Sequence, residues 1–158
     1  LKHLLEALAS LKRKGYANLR LHALGKISGD EKAFSLVKKL DIAEMVTFEG
    51  YASPFPFLER CDLMVYPTLY DAFPDTILEA LHSGCPVLAS KTGGVVELLQ
   101  YPELLFAVGD VKEIAERIER CITDVSFYRL VRERCAERSS HFRFDWAGRF
   151  ESAMRDNG

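Results

Sequence analysis

The apolar positions of this chain follow two alternating rhythms, a helical one of about 3.6 residues and short unbroken runs. Leu4, Leu5, Leu8 and Leu11 share a helical stripe that Gly15 closes. Residues 19–24 read as a strand running into Gly25, and residues 29–40 as a helix with Phe34, Val37 and Leu40 on one stripe. Val46 to Gly50 predicts a short strand, Pro54 to Arg60 a short helix, and Leu63 to Tyr66 an apolar strand stopped by Pro67. A helix over Pro74 to His82 precedes a strand at Val87 to Ala89. Gly93-Gly94 turns into a short helix carrying Val95, Val96, Leu98 and Leu99, and Leu104 to Ala107 forms the last strand. Asp110 is placed to cap the most regular helix, with Val111, Ile114, Ala115, Ile118, Cys121 and Ile122 on one face. Two more helices are expected around Phe127 to Arg138 and Phe144 to Met154. Short strands without a polar face, alternating with helices, predict an α/β fold: a Rossmann-like parallel sheet with helices on both faces.

In such sheets ligands bind at the carboxyl ends of the strands. Four strand exits are therefore candidates: Gly25-Lys26, Gly50-Tyr51, Pro67 to Phe73, and Ser90 to Gly94. No GxGxxG follows a strand, which counts against a dinucleotide-dependent dehydrogenase, and no GxxxxGK[ST] occurs to mark a P-loop. A receiver-like domain is disfavoured as well, since no acidic phosphoacceptor cluster ends a strand.

Composition narrows the choice further. At 158 residues the chain suits one domain with a real core. Lys plus Arg number 21 against 23 acidic residues, a net charge of −2 that supports neither a nucleic-acid footprint nor a polybasic membrane patch. Lys12-Arg13-Lys14 and the set Arg132, Arg134 and Arg138 read as solvated helix faces. Cys61, Cys85, Cys121 and Cys135 include no CxxC pair and read as buried thiols of a reducing, cytoplasmic protein. The four histidines are dispersed, so no metal site is expected. No run reaches membrane-spanning length and no signal peptide is visible. Leu1 opens inside a helical pattern without an initiator Met, which reads as a fragment of a longer protein.

The segment from Tyr70 to Ala89 carries the chemistry. It sets Asp71 before a helix start and Glu79 within the helix. Pro74 suits a first helical turn, since it lacks an N–H that would be orphaned there. Asp75, Thr76 and Ile77 would then present unpaired N–H groups at the positive end of the helix dipole, a natural seat for a diphosphate. The Asp75 carboxylate offers an alternative, plain capping of the same end. Asp75, Thr76 and Glu79 share one helical face, with Ile77, Leu78 and Leu81 turned to the sheet. Taken singly, Glu79 could be a solvated surface residue and Asp71 a turn aspartate bonding its own backbone.

Taken together, Asp71-x7-Glu79 followed by Ala80, Gly84, Pro86 and Val87 resembles the E-x7-E signature of family 4 retaining glycosyltransferases. Tyr66-Pro67-Thr68, Gly93-Gly94-x-x-Glu97 and Phe142-Arg143-Phe144-Asp145-Trp146 extend the likeness over nearly the whole chain. The resemblance implies the C-terminal, donor-binding half of a GT-B enzyme, a single domain over residues 1–158 lacking its first strand and the N-terminal acceptor domain. It implies that Glu79 holds the donor ribose, that Asp71 stands beside the transferred sugar as the catalytic carboxylate, and that the amides from Phe73 to Thr76, Pro74 and Asp75 included, meet the diphosphate or sugar. Phe48, Gly50 and Tyr51 would border the base. The donor would be a UDP- or GDP-sugar, the reaction hexose transfer to a glycan, lipid or small acceptor, and no metal cofactor would be needed. The partner would be the missing N-terminal domain, through which alone the protein could touch a membrane.

Two departures accompany the likeness. Asp71 is one methylene shorter than the family's first glutamate, which admits a second reading: a non-catalytic nucleotide-sugar-binding module with a degenerate site. The G-R-x-x-x-x-K-G strand and turn that normally open the domain are absent, and Lys26 is a poor substitute by position, so the chain alone is expected to be inactive. In the terminal helix, Trp146 and Phe150 share a face that either packs in the core or stands partly exposed toward the missing domain.

Overall fold

A computed structural model describes residues 1–25 and 31–142. Lys26, Arg143 and the expected helix 144–154 with Trp146 and Phe150 lie outside the described residues. The described residues form helices α1 (Lys2–Arg13), α2 (Glu31–Lys39), α3 (Phe55–Leu58), α4 (Asp75–His82), α5 (Val95–Leu99), α6 (Val111–Thr123) and α7 (Val125–His141). The strands are β1 (Leu21–Leu24), β2 (Val46–Gly50), β3 (Met64–Tyr66), β4 (Val87–Ser90) and β5 (Leu105–Phe106). All pairings are parallel: β1 with β2, β3 with β4, and β4 with β5. The strands thus form two sheets, of two and three strands, rather than the single sheet that periodicity suggests. Pairing is a non-local property that the spacing of apolar residues does not encode.

The core gathers around β4, which is buried at all four positions, and β5. Leu4, Leu11, Ile77, Leu81, Leu98, Leu104, Ile114 and Val131 bring α1, α4, α5, α6 and α7 onto it. A second cluster joins Leu5 and Leu8 of α1 to Val37, Ile42 and Met45. Helices α1, α2 and α6 form one group and α3, α4, α5 and α7 another, which meet where α6 packs on α7. This is the α/β arrangement expected.

Several local expectations hold and some do not. Asp110 caps α6, its carboxylate accepting from the Glu113 amide at 2.9 Å. Phe34 and Ile122 were placed on apolar stripes, yet they are 45% and 43% exposed. Phe34 instead packs its ring against Phe48 of β2, the two rings tilted by 56° with centroids 4.5 Å apart. The basic end of α1 is solvated but paired: Lys12 meets Asp41 and Glu44, and Lys14 meets Glu119. Arg138 departs from the expectation of a solvated face. It is buried and donates to the Leu98 and Glu97 carbonyls and to Gln100 Oε1 at 2.7, 3.0 and 3.0 Å. A cation at the carboxyl end of α5 satisfies carbonyls that the helix leaves orphaned.

The cysteines are all free thiols, Cys85 and Cys135 buried, Cys61 and Cys121 half-buried. Cys61 Sγ and Cys85 Sγ lie 2.9 Å apart, a contact across 24 residues that no sequence spacing announces. The hydrogen bond from Cys85 lowers the Cys61 thiol to about 7, while the same bond and burial raise Cys85. Cys121 and Cys135 are held up to about 11 by burial. Alkylation by iodoacetamide, read by mass spectrometry, should therefore modify Cys61 first, with a rate that rises through pH 7 as its thiolate forms. An inflection above pH 9 would mean that the Cys85 bond does not act on Cys61.

Candidate functional site

The loop between β3 and α4 is organised from its own residues. The Asp71 carboxylate accepts from the Tyr66 hydroxyl at 2.8 Å and from the Phe73 amide at 3.0 Å. The second bond makes the tight aspartate turn that Asp71 taken singly would predict. Burial, with the bond to Asp71 adding to it, pushes the Tyr66 hydroxyl up to about 12, so it stays protonated and keeps donating across the physiological range. Tyr66 is the residue that sequence reasoning missed. The strand-exit motif contained it, but nothing in the spacing showed its ring reaching the carboxylate five residues on.

From the other side the loop rests on Gly93 and Gly94. The Gly94 amide donates to the Asp71 carbonyl at 3.1 Å, and Thr92 Oγ1 donates to the Leu69 carbonyl at 3.4 Å. A Cβ on Gly94 would collide with the Ala72 carbonyl oxygen and lie 2.8 Å from its carbon, and one on Gly93 would collide with the Asp71 carbonyl oxygen. The two strand exits that sequence analysis named separately, Pro67 to Phe73 and Ser90 to Gly94, are therefore one surface.

Pro74 is buried and takes the N-cap position of α4, so the helix starts one residue later than expected, with extended backbone at Pro74, φ −76° and ψ 106°. No side chain caps this helix. Asp75 and Thr76 are exposed in its first turn, so the capping alternative for Asp75 is not realised. Their amides remain open to an anion, whereas the Ile77 amide, expected to be free as well, donates to the Pro74 carbonyl at 3.1 Å because the first turn already closes on it. Glu79 lies one turn further along, half-buried, and its carboxylate makes no hydrogen bond or ion pair with any described residue. A half-buried carboxylate without a partner among the described residues, beside an uncapped helix N-terminus, can accept from hydroxyls while the amides take an anion.

The β2 exit is placed differently. Phe48 is committed to packing against Phe34 and Ala23, so its ring serves the fold. Gly50 sits at φ 67° and its carbonyl accepts from the Gly25 amide at 2.8 Å, tying the β1 and β2 exits together. Tyr51 projects from this end, 83% exposed. No hydrogen bond among the described residues joins the β2 exit to the Asp71 loop. The structure thus assembles Asp71, Phe73 and Pro74 with Asp75, Thr76 and Glu79 on one loop and helix, and leaves Phe48, Gly50 and Tyr51 as a separate ledge. Tyr51, Tyr70 and Leu69 are the three most exposed large apolar side chains among the described residues, and all stand at strand exits.

Among the described residues no set of three or more His, Cys, Asp or Glu side chains could hold a metal ion, and no helix is long and apolar enough to cross a membrane.

Comparison with known proteins bears on these features. Residues 1–141 match the family model described as glycosyl transferases group 1. The serotype-specific mannosyltransferase WbdA of Escherichia coli is 31% identical over 87 residues, 55% of this chain and 10% of the relative. The capsular polysaccharide biosynthesis glycosyltransferase CapM of Staphylococcus aureus is 28% identical over 129 residues, 78% of this chain and 33% of the relative. Among solved structures, HepE of Anabaena in complex with UDP superposes with a TM-score of 0.77 at 24% identity, covering 88% of this chain and 40% of that one. The chain spans a third or less of the length of these two curated relatives. The fold is that of the GT-B glycosyltransferases, and the chain belongs to the group 1 glycosyltransferase family.

Proposed function

We propose that this chain is the C-terminal, donor-binding domain of a retaining family 4 glycosyltransferase that uses a nucleoside-diphosphate sugar. The observation that carries the reading is Glu79: a half-buried carboxylate without a partner among the described residues, one turn above open helix amides at the carboxyl end of a parallel sheet. Its oxygens accept the ribose hydroxyls. The amides of Asp75 and Thr76 take the diphosphate, their dipole stabilising the charge that grows as the sugar leaves. Asp71 orients the transferred hexose from a loop that Tyr66, Gly93 and Gly94 hold in place. No metal is needed for this charge stabilisation. The base lies along Gly50 and Tyr51. The acceptor site, and the glycan, lipid or small molecule it takes, belong to an N-terminal domain that faces this one, which is also where any membrane contact is made. Support comes from HepE, which was crystallised with UDP and with UDP-glucose.

A second reading has one specific observation in its favour. Both Asp71 carboxylate oxygens are engaged within the loop, by Tyr66 and by the Phe73 amide. That suits a non-catalytic nucleotide-sugar-binding module in which the shorter side chain organises the loop instead of touching the sugar. Calorimetric titration of the full-length protein with UDP, GDP and ADP, followed by assay of the matching donor sugars, tests both. One nucleotide should bind and its sugar should be turned over. Binding without turnover, with activity gained in Asp71→Glu, favours the module. No binding of any nucleotide overturns the donor site.

A further inference from the structure

Cys61 and Cys85 stand just before two adjacent parallel strands, β3 and β4, and both backbones are fixed there. The Cys61 amide donates to the Phe57 carbonyl of α3 at 2.8 Å, and the Cys85 amide to the Ala80 carbonyl of α4 at 3.0 Å. Beside them the Met64 amide donates to the Pro86 carbonyl at 2.8 Å, which locks the two segments side by side. Adjacent strands run about 4.8 Å apart, a spacing that suits the Cα separation of two bridged cysteines. The side chains use it: the sulfurs lie 2.9 Å apart, closer than thiols in ordinary van der Waals contact. The partners differ in access, since Cys61 is half-buried and Cys85 is 2% exposed. Cys135, the other buried thiol, is engaged elsewhere, its sulfur accepting from the Val87 amide at 3.3 Å.

We infer that Cys61 and Cys85 form a dithiol site for a small hydroperoxide, which oxidises the pair to a reversible disulfide. Cys61 reacts first. Its thiol, lowered to about 7 by the hydrogen bond from Cys85, is largely ionised near neutral pH, and the thiolate is the nucleophile. That sulfur attacks one peroxide oxygen, the O–O bond breaks, and an alcohol or water leaves with the proton that Cys61 gave up. Cys61 is then a sulfenic acid. The Cys85 sulfur, already in contact, attacks the Cys61 sulfur. The S–S bond forms, the S–O bond breaks, and the hydroxyl departs as water with the Cys85 proton. Two thiols are oxidised and one hydroperoxide is reduced, and a dithiol reductant reverses the bond by exchange. The bond joins residues 24 positions apart. Its ring holds β3, the Asp71 loop and all of α4, while the link itself lies at the opposite end of the strands from that loop. It therefore restricts unfolding of the segment that carries the candidate site without touching the site. This inference does not depend on what the Glu79 site binds.

Peroxide titration of the full-length protein tests it. Reduced protein is exposed to a small molar excess of hydrogen peroxide at neutral pH, blocked with iodoacetamide under denaturing conditions, and digested without reductant for mass spectrometry. The peptides carrying Cys61 and Cys85 should be recovered cross-linked, with Cys121 and Cys135 recovered alkylated, and dithiothreitol should restore both thiols. The oxidised protein should melt roughly 5 °C or more above the reduced form. In Cys85→Ser the same treatment should stop at a sulfenic acid on Cys61, trapped by dimedone, and in Cys61→Ser it should leave Cys85 a thiol. Recovery of Cys61 and Cys85 as thiols, sulfinic acid on Cys61 of the unmutated protein, or a bridge to Cys135 in place of the Cys61–Cys85 bond overturns the inference. A bridged protein that melts with the reduced one overturns the restraint on unfolding.

Discussion

Full-length protein carrying Glu79→Ala is expected to lose donor binding without losing stability. The carboxylate is half-buried and has no partner among the described residues, so its removal breaks no bond that holds the fold. Substitutions of that kind fall within about 0.5 kcal/mol of neutral stability. In the proposed complex the same carboxylate accepts two hydroxyl bonds, each a charge-assisted bond of roughly 1.5–3 kcal/mol. Their joint loss weakens the nucleotide Kd by about two to four orders of magnitude. Glu79→Gln keeps the shape and one acceptor oxygen, and should fall between the two. The informative comparison is calorimetric affinity beside the thermal midpoint. A variant that melts early and binds weakly would make Glu79 a structural residue. One that melts normally and binds normally would remove it from the site and take the donor reading with it.

How much of this was legible beforehand follows from what each signal depends on. Helix α6 was readable because cap and stripe are local: Asp110 bonds the Glu113 amide, and Ile114, Ala115 and Ile118 are buried as their spacing requires. Helix α7 runs from Val125 to His141, longer at both ends than its apolar residues suggest, because Arg138 and Ser139 are buried among them and blur the stripe. Phe34 misled for a different reason: its ring meets the Phe48 ring of β2, while Val37 on the same stripe is buried in the core as expected. The candidate loop was legible as a motif but not as a mechanism. Asp71 and Glu79 could be named from their spacing and from a family likeness. That Tyr66 holds the Asp71 carboxylate, that Gly94 carries the loop from below, and that Asp75 leaves its helix end uncapped are facts of packing between segments up to 23 residues apart.

That packing makes Gly94→Ala the second large expected effect, and the cause is space rather than backbone freedom. Gly94 has φ −69°, a conformation any residue adopts, so an alanine there meets no intrinsic strain. Its Cβ, however, would collide with the Ala72 carbonyl oxygen and lie 3.3 Å from Phe73 Cα. These are backbone atoms that no rotamer change can withdraw, so the Asp71 loop itself must move. Overpacking of this kind costs about 1–3 kcal/mol of stability. The cost to function should be larger, since a displacement near 1 Å in a positioning loop reduces activity about a hundredfold. Gly84→Ala is the matched control. Gly84 sits at φ 74° with open space around its Cα, so alanine there pays roughly 1–2 kcal/mol of backbone strain and leaves the loop in place. The two variants should therefore melt at similar temperatures and differ about a hundredfold in turnover with the donor sugar. Equal activity in the pair would mean that the Gly94 contact does not position Asp71, and the loop would then owe its shape to Tyr66 and the aspartate turn alone.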